Sequence, residues 1–243
     1  MSKKLSIVIA ALIMAAFGLA AQEFKVVVPQ VSQSAIDTYT NAIEAIAKVE
    51  GKTVSVQVVP FARAVNLIET KQADIEATIV QIPDQKKWAS LKYDYSSAEL
   101  VKIVFVLYTN KAKPITVAEL KAGNAKGYKI ETDTAHVNHF PFAATPSTNI
   151  EASLKKLDSG SIDCFVFSQG STDAVLKRLG LKNVARQYYD TFSGVFMLQK
   201  GGRDGAVDAW ITDGMAKIKA SGKYQEIVGP YSAGASKYIE WQP

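Results

Sequence analysis

The two histidines of the chain stand three positions apart, as His136 and His139. Imidazoles at that spacing could share a helix face and hold a metal ion. No third or fourth ligand accompanies them, and Pro141 opposes a helix continuing there, so the pair reads as a polar cleft loop and no metal site is assigned. Cys164 is the only cysteine. It has no partner for an internal disulfide, and it sits in an apolar run where a thiol behaves as a small hydrophobe. Catalysis would need a placed acid or base, with Glu131, Asp133 and His136 as the candidates. No GxSxG, HExxH or phosphate-cradling loop occurs, so no catalytic set and no cofactor are assigned.

The remaining candidates lie at the ends of expected strands, so the elements that position them come next. FKVVVP at 24–29 reads as a strand ended by Pro29. A helix capped by Asp37 runs to Val49. Thr53–Val59 alternates as a second strand, Pro60 opens a helix over 61–70, and 74–80 is a third strand. This β-α-β-α-β order with short connections implies a parallel sheet with right-handed crossovers. In such sheets a ligand crevice lies off the carboxyl ends of the strands, where helix N-termini present unpaired N–H groups. That rule selects Gln30 and Ser32 after the first strand, Arg63 in the first turn after the second, and Gln81 after the third. Further on it selects Asp133 and Thr134, then Ser168 and Gln169 after a central strand over 162–167.

One phrase occurs twice. LKKLDSGSIDCFVF at 154–167 reads as a helix end, a stop at Gly160 and a buried strand. VNLIETKQADIEATIV at 65–80 repeats it about 90 residues earlier, with Asp74 against Asp163. Two copies suggest two α/β lobes of similar design and assign both aspartates structural roles. Tyr93–Ser97 reads as a loop or short edge strand. Long apolar strands at 100–109 and 192–199 would cross between the lobes. Val184–Tyr188 reads as a separate short strand, and 206–220 as an amphipathic helix.

The 28 basic and 23 acidic residues among 243 give a formal charge of +5. Lys3 and Lys4 precede an apolar run over 5–17 and the small residues Gly18–Ala21, the pattern of a secretory leader cleaved near Ala20 or Ala21. The remainder carries +3, with basic residues scattered and no nucleic-acid-binding spacing, which argues against nucleic acid as a partner. An exported, soluble monomer is expected.

Taken in order, FKVVVP, PFARAVNLIETKQADIEATI, YDYSSAEL, NIEASLKKLDSGSIDCFVF and WITDGMAKIKASGKYQEIVG resemble the type II periplasmic solute-binding proteins. The closest likeness is to solute-binding family 3, the amino-acid-type receptors of ABC importers. The resemblance implies an α/β, two-lobed periplasmic binding protein fold with two crossing strands as hinge. Lobe one would be 22–109 plus 200–243, and lobe two 110–199. The implied function is a periplasmic receptor that closes on a small polar solute, anionic or amino-acid-like, and delivers it to the membrane permease of an ABC importer. The alternatives on this fold are a dehydratase-like enzyme and a sensor for another membrane partner. Family receptors clamp the ligand carboxylate with an Arg beyond the third strand, where this chain has Lys86. They hold the amino group with an Asp where this chain has Ser168. Lys offers charge without a bidentate fork, so the resemblance favours a ligand with an anionic group and no required ammonium.

Overall fold

Strand β1 (Glu23–Pro29) pairs in parallel with β2 (Thr53–Val59) and with β3 (Ile75–Val80) in the computed structural model. The model describes residues 23–243 apart from Asn124 and Lys126. The leader expected over 1–21 lies outside the described residues. The intervening α1 (Gln33–Val49) and α2 (Phe61–Glu69) complete the β-α-β-α-β unit. Helix α1 begins at the Ser32 cap position, a turn earlier than the Asp37 expected. Asp37 instead accepts a hydrogen bond from Gln33 Nε2 at 2.8 Å within the first turn. The apolar face of α1 buries Ala42, Ile43, Ile46 and Ala47, and burying each large side chain contributes roughly 1.5–3 kcal/mol. Helix α6 (Ala206–Ala220) packs so closely there that a Cβ on Gly214 would lie 2.7 Å from Ile46 Cγ2.

The sequence splits 93–109 into two pieces and 184–199 likewise. The structure joins each into one long strand, β4 (Tyr93–Asn110) and β8 (Val184–Gln199), paired antiparallel along their whole lengths. The polar YDYSS and RQYYDT segments obscure this continuity. Ser96 and Ser97 are nonetheless ordered by Asp208, which accepts from Ser96 Oγ at 2.5 Å and from the Ser97 N–H at 2.9 Å. Strand β3 takes only the end of β8, at Gly194–Leu198, and β7 (Cys164–Ser168) takes only the end of β4, at Phe105–Thr109. The eight strands therefore run β2-β1-β3-β8-β4-β7-β5-β6, with β5 (Ile130–Asp133) and β6 (Thr145–Ser147) parallel to β7. Two half-sheets thus share one long pair, which is the two-lobed arrangement with crossing strands. The register of that pair shifts between Tyr95 and Val101 and again between Phe105 and Val106.

The repeated aspartates perform one task twice. Asp74 accepts from the Lys25 N–H at 2.8 Å while its own N–H donates to Lys25 O at 2.8 Å. Asp163 accepts from the Lys129 N–H at 2.7 Å while its N–H donates to Lys129 O at 2.9 Å. Each closes a two-point clasp onto the start of the neighbouring parallel strand. Burial alone would raise the Asp163 pKa. Hydrogen bonds from Lys113, at 2.6 Å, and from the Lys129 N–H outweigh it and hold the carboxyl below its ordinary value.

The second half also contains α3 (Val117–Lys121), with its Thr116–Glu119 capping box, α4 (Ile150–Asp158), capped by Asn149, and α5 (Gln169–Leu179). Gly180, at φ 61°, ends α5 in the left-handed conformation that glycine adopts without strain. After α7 (Lys223–Ile227) comes α8 (Gly229–Ala235), which the sequence reading omits. The chain then crosses onto the second half. Arg186, 2% exposed, grips Asp173 through Nε at 2.9 Å and through Nη2 at 2.5 Å. Its Nη1 donates to Trp241 O at 2.7 Å, and the Trp241 ring lies 4.5 Å from the guanidinium carbon.

Candidate functional site

The carboxyl ends of four parallel strands from both halves face one cavity of about 480 Å³. Gln30 follows β1, Pro60 follows β2, Asp133 ends β5 and Thr148 follows β6. Phe61, Ala62 and Val65 of α2 form one wall, and Thr134 with Ala135 forms the other. The volume falls in the range of small-molecule pockets, about 300–1,000 Å³. The walls are apolar apart from a few convergent polar groups.

Asp133 is the only charged residue among the described residues lining the cavity. Its Oδ1 accepts from the Ala135 N–H at 2.9 Å and from His136 Nδ1 at 3.3 Å. Its Oδ2 has no hydrogen-bond partner among the described residues. Thr134 Oγ1 donates to Ser147 O at 3.3 Å, tying the cavity rim to β6.

The HxxH pair departs from the expected polar loop. His136 ends a 3-10 turn (Thr134–His136), and its ring packs against Phe105 and Phe167, each with centroids 5.4 Å away. Phe61 reaches the same ring from the first half at 6.0 Å. His139 lies 4.9 Å from His136 and directs Nε2 at Val80 O, 2.7 Å away. Burial, reinforced by the neighbouring His136, pushes the His139 pKa down to about 3. The imidazole is therefore neutral, and its Nε2–H is the donor. The two rings serve different partners inside an aromatic floor that also contains Phe140 and Phe192. Among the described residues, no group of three or more His, Cys, Asp or Glu side chains could hold a metal ion. Cys164 is buried, and burial pushes its thiol up to about 12, in keeping with a packing role.

Of the expected cleft residues, the structure brings Gln30, Asp133 and Thr134 together. Arg63 points to a separate groove of about 440 Å³ beside Lys25, Ser55 and Gln72. The α2 helix turns its Phe61–Val65 edge, not Arg63, to the cavity. Lys86 lies exposed on a 3-10 turn (Gln85–Ser90), with its backbone N–H on Asp84 Oδ1 at 3.1 Å. Ser32 is exposed, with its hydroxyl 3.3 Å from that of Ser34. Gln81 continues β3, its N–H donating to Ser193 O at 2.8 Å. Ser168 holds the cap position of α5. Gln169 is 1% exposed, and its amide is spent on the C-terminal segment: Nε2 donates to Gly234 O at 2.9 Å, and Oε1 accepts from the Ile239 N–H at 2.9 Å. Ser32, Arg63, Gln81, Lys86, Ser168 and Gln169 are thus absent from the lining of this cavity. The sequence reading missed Phe61, Val65 and Thr148. Apolar residues in the first turn after a strand were the available signal for the first two. Thr148 follows a three-residue strand that contains a proline, which carries little pattern.

The segment holding both histidines also reaches across to the first half. Lys87 Nζ donates to Asn138 O at 3.1 Å. A second cavity of about 440 Å³ lies on this side, between Ile82–Asp84 and Tyr189–Asp190.

Comparison with known proteins places this architecture. The chain superposes on a histidine kinase sensor domain with similarity to periplasmic binding proteins, at TM-score 0.66 and 14% identity, covering 86% of this chain and 96% of that one. It superposes on a substrate-binding protein of an ABC uptake transporter from Streptococcus pneumoniae, solved with bound histidine, at TM-score 0.63 and 14% identity, covering 88% and 95%. An ancestral amino-acid-binding protein, a precursor of cyclohexadienyl dehydratase, matches at TM-score 0.61 and 15% identity, covering 91% and 97%. The fold is therefore the two-lobed type II periplasmic binding protein fold, as the sequence resemblance implies. No family model and no curated protein matches the sequence.

Proposed function

We propose that the chain is an exported receptor that closes on a small solute and delivers it to the membrane permease of an ABC importer. The observation that carries this reading is the cavity shared by Gln30 and α2 on one side and by Asp133–Ala135 and Thr148 on the other. A solute placed there touches both halves at once. Contacts made only in the closed arrangement are what couple ligand to shape. Amino-acid-binding proteins among the structural neighbours support a small-molecule solute. Lobe one is taken as 22–109 plus 200–243 and lobe two as 110–199, with the segment after α8 strapped to lobe two. The register shifts of the β4–β8 pair are the natural hinge.

The test is a thermal-shift screen of amino acids, amines, organic acids and short peptides. A ligand bound only by the folded chain raises the melting temperature, and the rise grows with the logarithm of its concentration once that exceeds Kd. Small-angle scattering with the hit should show a smaller radius of gyration. A screen without a hit, or a hit that leaves the radius unchanged, refutes the closing receptor.

A second reading, an enzyme on the same fold, draws on the Asp133–His136 contact at the cavity edge and on the dehydratase precursor among the neighbours. Product formation from a screening hit would establish it, and recovery of the hit unchanged would exclude it for that compound. The sensor domain among the neighbours favours a third use, ligand delivery to a signalling partner. Co-purification with a permease decides against it.

A further inference from the structure

The cavity itself specifies a charge. Resting on the receptor reading above, we infer that the solute carries a cationic nitrogen on an apolar body, and that Asp133 Oδ2 is the group that receives it.

Three observations converge. The cavity wall contains one carboxylate and no lysine or arginine among the described residues lining it. Arg63 and Lys86, the two cations expected at the cleft from the sequence, lie elsewhere, Arg63 in a separate groove and Lys86 on an exposed turn, and Lys87 and Lys121 line the second cavity instead. The carboxylate is also held in a fixed pose. Oδ1 is occupied by the Ala135 N–H and His136 Nδ1, while Oδ2 has no partner among the described residues. Because Oδ1 can only accept, His136 donates through Nδ1. Its ring is clamped by Phe61, Phe105 and Phe167, so the carboxylate's orientation is fixed before any solute arrives. A preorganised acceptor of this kind suits an N⁺–H donor, whose charge-assisted hydrogen bonds are shorter and stronger than neutral ones.

The rest of the wall describes the remainder of the solute. Pro60, Phe61, Ala62, Val65 and Ala135 present hydrocarbon, and the Phe61 ring offers a π-face beside a bound cation. An anionic group would be desolvated here against Asp133 with no countercharge on the wall, which disfavours organic acids. A free carboxylate on the solute would find only Gln30, Thr134 and Thr148. An amine or ring ammonium therefore fits better than a zwitterion or an acid.

The experiment uses matched pairs that carry an ammonium or a carboxylate on the same hydrocarbon body: 2-phenylethylamine against 3-phenylpropionate, and cyclohexylmethylamine against cyclohexylacetate, with phenylalanine as the zwitterion. Affinity is measured by calorimetry on the wild-type chain and on Asp133→Asn and Asp133→Glu. The amine of a pair should bind at least tenfold more tightly than its carboxylate. Asp133→Asn should weaken the amine tenfold or more, and Asp133→Glu should restore part of that loss, which a merely structural role for the side chain would not produce. Circular dichroism confirms that the variants fold. A carboxylate that outbinds its amine, an unchanged amine affinity in Asp133→Asn, or a screening hit lacking any cationic nitrogen overturns the inference and leaves the receptor reading intact. A screen without any hit removes both.

Discussion

Glu76 supplies the sharpest test of the fold's energetics. It stands in β3, whose six residues are all buried, and it is itself 0% exposed. Its register partners Val27 and Met197 share its face of the sheet and belong to the cluster that Ala64, Ile68 and Tyr93 build under α2. Neither carboxyl oxygen has a hydrogen-bond partner among the described residues. Burial accordingly raises its pKa well above 4.5, and the side chain is held as the neutral acid. A pKa raised by folding means that stability is fully present below the unfolded-state value and is lost as pH rises. The loss is about 1.4 kcal/mol per pH unit, or about 3 kcal/mol between pH 4.5 and 7, as long as the folded chain keeps the proton. Glu76→Gln has the same shape and nothing to titrate. Its own buried amide adds a cost of about 1–3 kcal/mol that does not vary with pH. Urea denaturation of both proteins at pH 5, 6 and 7 should therefore show the variant gaining on the wild type by about 1.4 kcal/mol per unit. Parallel stability profiles would refute the neutral buried acid. Just beyond it, Thr78 adopts a φ of 118° at the β3 irregularity, unusual for a β-branched residue, so this strand carries strain as well as charge burial.

Other consequences are equally direct. His139, with its pKa down to about 3 when folded, binds protons in the unfolded chain first, so stability should fall with acid between pH 6.5 and 3 by up to about 1.4 kcal/mol per unit. His139→Gln, which keeps a donor for Val80 O, should flatten that slope in thermal denaturation across the window; an unchanged slope would show that the ring is not responsible. Asp163→Asn loses the charged bonds to Lys113 and the Lys129 N–H and should cost about 1.5–3 kcal/mol near neutral pH in chemical denaturation. Because folding lowers the Asp163 pKa, that cost should shrink as pH falls through the folded value. Arg186→Met strands Asp173 inside the second half and should cost about 3–5 kcal/mol, while the double change Arg186→Met/Asp173→Leu should recover part of it. A double variant no better than the single would mean that the pair specifies this arrangement rather than merely tolerating burial.

The sequence was most readable where period and punctuation agreed. Thr53–Val59 and Ala206–Ala220 emerge with the expected bounds because alternation and a Gly stop mark them. The doubled helix–Asp–strand phrase correctly implied two similar halves, since each aspartate clasps the next strand in the same way. Continuity through Ser96–Ser97 was not readable, because polar residues satisfied by a side chain 111 positions away, Asp208, mimic a loop. The cavity was half legible. Strand-end logic located Gln30, Asp133 and Thr134, but it could not say which way a first-turn side chain points. Arg63 and Phe61 are two residues apart on α2 and face different openings. Gln169 misled for a related reason: its partners lie 65–70 residues later, in a segment with no pattern of its own.

That late segment sets an order of events during synthesis. Arg186 and the Trp241 carbonyl that satisfies it are 55 residues apart. At about 5–20 residues per second, roughly 3–11 seconds separate their emergence from the ribosome. Throughout that interval the guanidinium has Asp173 but lacks its ceiling of indole and carbonyls. The second half therefore stays unlatched until the end of the chain arrives, and the first half waits in the same interval for the end of β8 that pairs with β3 and for α6, which packs on α1.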